Sequence, residues 1–292
     1  NSTISNTEYS TTKNNGVALQ GVHYAINNTV FDVPSACVGC CNIDGNTFYN
    51  ISFPNKDFDL SFHTNGLYIV GDGCVVKNNL IYNFGANAAA LYPNVGSGGS
   101  GPCVDWTQYV YNNVVIMGDS DQSIIIDIDP EHGGENSGYC GTAYVFNNTL
   151  QSNSNPTAIR TQLYGTPGGR VKAAYIQNNH IINAAGSGGI CVADGGGCGT
   201  PQTLTNDHNL TQSNTTANGQ GYVMGNNYRS TLSTNGTVNV GADLSAYGAT
   251  TDKLGHLRGS AWDIGAYEFI GNTTLGSGST FSLGVGAGFT LQ

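Results

Sequence analysis

The chain has 292 residues, and only 10% of them are charged, against about 25% in an ordinary soluble domain. Its formal net charge of −10 and pI of about 4.7 argue against nucleic acid or an anionic membrane surface as partner, because no basic patch is available to neutralise phosphates. No apolar run is long enough to span a bilayer, so we expect no membrane insertion. The sequence also lacks a signal-peptide pattern, and we expect it to represent the mature form of an exported protein.

Residues 1–18 are polar and begin with Asn-Ser-Thr. A polar segment ahead of a repeat array is typical of a cap over the first repeat, and we predict an N-terminal arm or cap here.

A short apolar strand, an Asn pair and a second apolar strand recur along the following residues. The strong copies are Tyr24–Val30, Val75–Asn83, Tyr109–Ile116, Tyr144–Leu150 and Tyr175–Asn183, and the weaker copies are Ile43–Phe48 and Asp207–Thr211. The second Asn of each copy falls at residues 28, 46, 79, 113, 148, 179 and 209, in steps of 18, 33, 34, 35, 31 and 30 residues. A period of this kind indicates a solenoid, a propeller or an array.

The repeat unit favours a solenoid. Asn tolerates the left-handed backbone conformation and bonds neighbouring backbone, so an Asn pair between two strands predicts a tight bend. Stacked coils would place these side chains about 4.8 Å apart, where their amides can form a hydrogen-bonded ladder. A propeller would need four strands per repeat and its own Trp/Asp signature, and the sequence shows neither.

We therefore predict an all-β fold, a single-stranded right-handed parallel β-helix with an Asn ladder over residues 19–269. With these turn Asn residues the chain resembles the pectate-lyase-like β-helix superfamily, whose coils carry this kind of Asn at a turn.

A second set of apolar segments lies between the Asn markers. Its members are Ala88–Tyr92, Ser123–Asp129, Thr157–Leu163 and Gly188–Asp194, and each begins nine or ten residues after its marker. This common offset predicts that they stack as one parallel sheet. The Gly/Ser-rich stretches at residues 96–101 and 133–141 are expected to be loops at the corners of the coils.

The chain has eight cysteines, and this number in a weakly charged sequence indicates an oxidising compartment. Cys41 and Cys74 each lie five residues before an Asn marker, so adjacent coils would bring them within disulfide distance. Similar offsets make Cys103 and Cys140 neighbours on successive coils. Cys191 would pair with Cys198 across a Gly-rich loop, which leaves Cys37 with Cys40. The alternative for the Cys37-x-x-Cys40-Cys41 cluster is a metal or redox motif, and no second CxxC or His cluster accompanies it.

After Asn209 the repeat loosens, although Tyr222–Tyr228 could form one more degenerate coil. The segment Arg258–Phe269 contains the string Asp263-Ile-Gly-Ala-Tyr-Glu268, which resembles the closing segment of bacterial surface β-helix proteins grouped as choice-of-anchor Q. The resemblance, which covers roughly residues 20–269, implies the fold and export and brings no catalytic residue with it. We expect Trp262, Tyr267 and Phe269 to form an aromatic plug over the last coil.

Residues 270–292 differ from the coils. A linker of Gly, Asn, Ser and Thr precedes Thr280–Leu291, where apolar and small residues alternate as in a strand. Such a strand cannot bury itself alone, and it could pack along its own solenoid or join an edge of another subunit.

One carboxylate cluster is a candidate site. In the segment 124–129, Asp127 and Asp129 would point outward on one face, and Arg160 and Gln162 would lie one coil later. Acids beside a basic residue suit a polysaccharide lyase or hydrolase, for which Asp127, Asp129 and Arg160 are the catalytic candidates. The same acids with Glu131 could bind calcium, and a plain solvated surface is the third interpretation.

Eight Asn-x-Ser/Thr sequons occur in the chain. Asn214, Asn235 and Asn272 lie outside the regular coils and are the predicted glycan acceptors, whereas Asn27 and Asn147 should be inaccessible within the Asn turns.

These observations favour a secreted structural or adhesive protein of the cell surface that requires no cofactor. We expect it to self-associate through its C-terminal strand into a filament or surface layer, because contacts that do not close on themselves generate filaments. The alternative is a carbohydrate-active lyase or hydrolase that acts on polysaccharide at the Asp127, Asp129 and Arg160 face.

Overall fold

Each complete coil among the described residues contributes one strand to each of three sheets in the computed structural model. The structure describes residues 2–5, 17–51, 66–84, 89–97, 103–117, 124–130, 138–153, 157–163 and 169–270. The three sheets are parallel throughout, because successive strands of one sheet come from successive coils. The predicted parallel β-solenoid is therefore confirmed.

Strands are numbered in chain order. Sheet A contains β1 (Thr3–Ser5), β4 (Thr29–Val33), β7 (Thr47–Ile51), β10 (Leu80–Phe84), β15 (Val114–Met117), β18 (Thr149–Gln151), β21 (His180–Asn183) and β24 (Leu210–Ser213). Sheet B contains β2 (Val17–Gln20), β5 (Ser35–Cys40), β8 (Leu67–Val70), β11 (Ala89–Asn94), β16 (Ile124–Ile128), β19 (Ile159–Thr161) and β22 (Ile190–Cys191). Sheet C contains β3 (Tyr24–Ile26), β6 (Asn42–Asp44), β9 (Cys74–Lys77), β14 (Thr107–Tyr111), β17 (Tyr139–Phe146), β20 (Arg170–Gln177) and β23 (Thr203–Asp207).

Smaller elements lie outside these sheets. β12 (Gly96–Ser97) and β13 (Val104–Asp105) form a short antiparallel ribbon. The α-helix α1 spans Asn214–Gly219, and 3-10 turns span Met224–Asn226 and Ser245–Tyr247.

The core fills the space enclosed by the three sheets. Because side chains alternate along a strand, each sheet sends one column of apolar residues inward. The inward columns are Val30, Phe48, Ile81, Val115, Leu150 and Ile181 in sheet A, Cys37, Leu67, Leu91, Ile126 and Ile159 in sheet B, and Ala25, Ile43, Val76, Val110, Val145 and Ile176 in sheet C. The predicted second register is confirmed as part of sheet B.

The Asn pairs form the corner between sheets C and A. The first Asn of a pair has a left-handed backbone, as at Asn78, Asn112 and Asn178, with φ of 58°, 55° and 55°. The second Asn turns inward and joins the ladder. The ladder runs without interruption through Asn28, Asn46, Asn79, Asn113, Asn148, Asn179 and Asn209.

All four predicted disulfides are present, namely Cys37–Cys40, Cys41–Cys74, Cys103–Cys140 and Cys191–Cys198. Two of them, Cys41–Cys74 and Cys103–Cys140, join one coil to the next. No free cysteine is left among the described residues.

The N-terminal residues do not all form a separate arm. Residues 3–5 pair with β4, and residues 17–20 pair with β5, so the solenoid begins before the predicted boundary at residue 19. The rest of the predicted arm lies outside the described residues, and so does the predicted C-terminal strand, residues 280–291.

The largest correction concerns residues 214–270, which we name the cover. Trp262 packs with Phe146 and with Tyr109, Tyr111 and Tyr144 on the outside of sheet C. Tyr267 packs with Val114, Ile116 and Ile182 on the outside of sheet A.

These aromatic residues therefore seal the side of the solenoid, and the predicted plug over the last coil is wrong. The aromatic pattern predicted packing against the coils, but it did not distinguish the end of the last coil from the outer faces of sheets A and C. The predicted extra coil at residues 222–228 is also wrong, because this segment contains a 3-10 turn within the cover.

Candidate functional site

The predicted acidic cluster lies on the outer face of sheet B. The register pairs Asp127 of β16 with Arg160 of β19, two residues away from the predicted alignment of Arg160 with Ile125. Arg160 donates from Nε to Asp127 Oδ1 at 2.8 Å and from Nη2 to Oδ2 at 2.5 Å. Both oxygens of Asp127 are thus engaged by one guanidinium in the fork geometry that arginine favours.

Asp129 belongs to a second, polar part of the same cluster. The Tyr92 hydroxyl lies 2.6 Å from Asp129 Oδ2 and 3.1 Å from Gln162 Oε1, and it donates to these acceptors. Asn94, on the same strand as Tyr92, donates through Nδ2 to the hydroxyl of Tyr68 on the preceding coil at 3.0 Å. Tyr92, Asp129 and Gln162 therefore form a hydrogen-bonded network across three coils.

Burial dominates the electrostatics of the cluster. Asp127 and Asp129 are each only 2% exposed. Burial raises the pKa of Asp127, while the bonds from Arg160 act in the opposite direction. Burial also raises the pKa of Tyr92, with a further contribution from Asp129, so the Tyr92 hydroxyl keeps its proton and remains a donor.

The geometry limits what these residues can do. A general acid or base must reach the substrate directly or through one water, yet both carboxylates are covered and bonded by protein groups. Arg160, whose side chain is 23% exposed, is the partly accessible member of the proposed catalytic set. The arrangement is that of a buried ion pair with supporting hydrogen bonds.

A calcium site is not assembled by the described part of this cluster. Arg160 occupies the position next to Asp127 that a cation would take, and Glu131 lies outside the described residues. Within the described ranges, the one group of three metal-binding side chains consists of Cys103, Asp105 and Cys140, and its two cysteines are joined in a disulfide. Calcium binding stays a prediction.

A second group of polar contacts joins the cover to the Asn pairs, at the corner between sheets C and A. Asn178 donates to Ala242 O at 2.8 Å and accepts from Ala242 N–H at 2.8 Å. Asn112 donates to Thr251 O at 2.8 Å and accepts from Arg258 Nη2 at 3.1 Å. The first Asn of each of these pairs thus binds the cover, while the second Asn belongs to the internal ladder.

The contacts of Arg258 show what the segment Arg258–Phe269 does in the fold. Its buried guanidinium donates to Glu268 Oε1 at 2.6 Å and to the carbonyls of Asp263 and Gly265 at 3.1 and 2.9 Å. Asp263 in turn accepts from the N–H groups of Asn239 and Phe269. Burial raises the pKa of Glu268 and of Asp263. The charged residues of the motif therefore close the cover onto itself and onto Asn112, which is a structural role.

Lys253 links the cover to the coil that contains Asn78. Its ammonium group donates to the carbonyl of Asn78, and burial lowers its pKa to about 7, against the opposing influence of Asp44 and Asp252. The sequence offered no signal for this contact, because Lys253 and Asn78 are 175 residues apart.

Aromatic columns reinforce the stacking of the coils. Phe31, Tyr49 and Tyr82 stack on sheet A with ring centroids 4.7 and 5.0 Å apart. Tyr109, Tyr144 and Tyr175 stack on sheet C with centroids 4.9 and 4.6 Å apart, and Tyr247 of the cover packs against the last two. The ring faces are occupied by neighbouring rings, so these columns serve packing.

The predicted glycan acceptors have different environments. Asn235 is 5% exposed and donates to Gln220 O and Ser230 Oγ, which argues against an attached glycan in the folded chain. Asn214 is half-buried at the start of α1, and Asn272 lies outside the described residues. Of the two sequons expected to be inaccessible, Asn147 is buried, but Asn27 is exposed, so the prediction is wrong for Asn27.

Within the described part of the chain, no helix has the length and apolar character that crossing a bilayer requires. The four disulfides indicate folding in an oxidising environment. Comparisons with protein-family models, with curated proteins and with solved structures gave no significant match.

Proposed function

We propose that the chain is an exported structural protein of the cell surface that assembles end to end into a filament or surface layer. The proposal rests on the two ends of the solenoid, where the outermost strands have an open edge. In each of the three sheets the terminal strands pair on one side alone among the described residues. At the first coil, Tyr24 and Ile26 of β3 are 64% and 49% exposed.

Unpaired strand edges are a ready surface for association with another chain, and soluble proteins usually cover or charge them. Here, the cover protects the side of the rod and leaves the ends uncovered by described residues. The ladder, the aromatic columns and the disulfides between coils stiffen the rod along its axis. Contacts from the end of one copy to the start of the next do not close on themselves, so they extend into a filament.

Export to the cell surface is supported by the disulfides and by the resemblance of Asp263–Glu268 to choice-of-anchor Q surface proteins. Self-association through the strand at residues 280–291 belongs to the same proposal, because this alternating segment needs a partner edge. An adhesive contact with polysaccharide is compatible with such a surface location.

Electron microscopy tests the proposal. We expect ordered filaments from the full chain and dispersed particles from a chain that ends at Phe269. Full-chain preparations that stay monomeric across concentration and ionic strength would contradict it.

The alternative function, a polysaccharide lyase or hydrolase, has less support from the geometry because Asp127 is held by Arg160. It makes a separate prediction. If the cluster is structural, Asp127→Asn leaves any polysaccharide-degrading activity unchanged and lowers stability, since Arg160 loses its buried ionic partner. A panel of polysaccharides, with denaturation as the parallel measurement, would show loss of activity with unchanged stability if the cluster were catalytic.

A further inference from the structure

The two ends of the solenoid differ in which sheets contribute their outermost strands. Among the described residues, sheet A has eight strands, whereas sheets B and C have seven each. The difference arises because the regular part of the chain begins with β1 and ends with β24, both in sheet A. β1 therefore lies one strand position ahead of β2 and β3, whereas β22, β23 and β24 all belong to the last coil, after which the chain turns away into α1.

The longest strand of the last coil is β23, Thr203–Asp207. Its Leu204 continues the core-facing column that contains Ala143 and Ala174, which are buried. Leu204 itself is 39% exposed, because no described residue lies above it. One more strand carrying apolar side chains would complete this column.

The backbone of β23 has donors for such a strand. The Gln202 N–H donates to Val171 O of β20. In a parallel sheet, successive residues face opposite neighbours, so Leu204 also faces β20. The N–H groups of Thr203 and Thr205 then face the open edge, where no described strand pairs with them.

The chain outside the described residues contains a segment with the matching pattern. In Thr280–Leu291, Phe281, Leu283 and Val285 alternate with small residues, so one face is apolar and the other nearly flat. Twelve extended residues span about 40 Å, enough to cover one strand position in sheet C and one in sheet B. A linker of nine residues after the exposed Ile270 lets the strand leave its own solenoid.

We propose that residues 280–291 of a second copy bind the C-terminal end of the solenoid, pairing with the open edge of β23 and covering Leu204. This inference rests on the proposed end-to-end assembly and names its contact. When copies stack, β24 of one meets β1 of the next, and one strand position stays empty in each of sheets B and C. The donated strand fills these positions and makes the solenoid continuous across the junction.

The test uses two pairs of full-chain variants. Thr205→Pro removes an N–H that faces the open edge, and Thr205→Ala is its control because it keeps that N–H. Val285→Asp places a charge on the apolar face of the donated strand, and Ser282→Asp is its control on the opposite face. We expect filaments from the native chain and both controls, and none from Thr205→Pro or Val285→Asp. Circular dichroism checks that all variants fold.

Hydrogen–deuterium exchange locates the contact. In native filaments the amides of β23 that face the edge should exchange at least about tenfold more slowly than in the Val285→Asp protein. Filaments from Thr205→Pro without slowed exchange would overturn the proposed contact and leave the proposed function standing. Monomers of the native chain would contradict the function, and slowed exchange of β23 in such monomers would show that the strand binds its own copy, which overturns the inference.

Discussion

At the scale of single residues, the two members of each Asn pair have different tasks. The first takes the left-handed conformation that turns the chain, and its side chain faces outward. At Asn112 and Asn178 that outward amide binds the cover. The second member faces inward and satisfies backbone groups that the tight corner would otherwise leave without partners. One dipeptide thus provides both the bend and the buried hydrogen bonds of the bend.

Asn113 shows what one ladder residue contributes. Its Oδ1 accepts from the N–H and Nδ2 of Asn79, and its Nδ2 donates to Val76 O and Asn148 Oδ1. We expect Asn113→Ala to lower the free energy of unfolding by about 3–5 kcal/mol, because several buried groups lose their partners.

Denaturant titration with the disulfides intact measures this effect. Asn206→Ala, an exposed position near the end of the same corner, is the control and should cost less than about 1 kcal/mol. Equal losses at the two positions would contradict a special role for the ladder.

At the scale of the element, the cover is the part of the molecule whose position depends on close backbone contact. Gly265 has a φ of +100°, and a Cβ there would lie 2.8 Å from Thr149 Oγ1 and 3.2 Å from the Cβ of His180. The cover can approach sheet A this closely because position 265 has no side chain.

Gly265→Ala should therefore loosen the cover. Its control is Gly255→Ala, where φ is +86° but no atom lies within 4 Å of the added Cβ. Both variants bear the backbone cost of about 1 kcal/mol, and Gly265→Ala should lose about 1–3 kcal/mol more from steric overlap. Fluorescence of the buried Trp262 during denaturation follows the cover, and indistinguishable curves for the two variants would refute the close-contact argument.

Lys253 makes the stability of the molecule depend on pH. Its pKa in the folded chain is about 7, below the unfolded value of 10.5, because burial disfavours the charged form. Between these two values the unfolded chain binds more protons, so the free energy of unfolding should rise with pH from about 7 to 10.5. Below the folded pKa both states are charged, and the folded state carries the full cost of the buried ammonium.

Lys253→Met should reduce this slope and stabilise the chain at neutral pH, since an apolar side chain of similar length avoids the burial of a charge. Urea denaturation across the same pH range measures the slope, and Lys172→Met, at an exposed lysine, is the control. A slope that persists unchanged in Lys253→Met would assign the effect to other groups.

At the scale of the whole molecule, rigidity along the axis comes from contacts between consecutive coils. The Cys41–Cys74 disulfide joins successive coils and links two cysteines that are 33 residues apart in the sequence. Cys191–Cys198 closes a short loop, since its two cysteines are 7 residues apart. Loop-closure entropy makes the first crosslink worth about 4 kcal/mol and the second about 2 kcal/mol.

We therefore expect the paired change Cys41→Ala with Cys74→Ala to destabilise the chain more than Cys191→Ala with Cys198→Ala. Thermal unfolding of the two double variants measures the difference. A smaller loss from the first pair would show that residual structure already keeps Cys41 and Cys74 close together in the unfolded chain.

The architecture of the coils could be predicted from the amino-acid sequence alone. The spacing of the Asn pairs predicts the parallel stack, because equivalent positions on successive coils must coincide in a solenoid. The same coincidence predicts the Cys41–Cys74 disulfide. These are local patterns repeated at nearly fixed intervals, and a repeated local pattern can be read without knowing the tertiary structure.

The positions of the residues outside the repeat, those of the cover above all, became known from the three-dimensional structure. Arg258 contacts Asn112 over 146 residues, and no periodicity predicts such a contact. Alternation along β16 predicted that Asp127 faces outward from its sheet, but its burial and its partner depend on the exact register and on neighbouring coils. The cover likewise follows the side of the rod because the outer faces of sheets A and C expose apolar and aromatic residues there, a surface that exists once the coils have stacked.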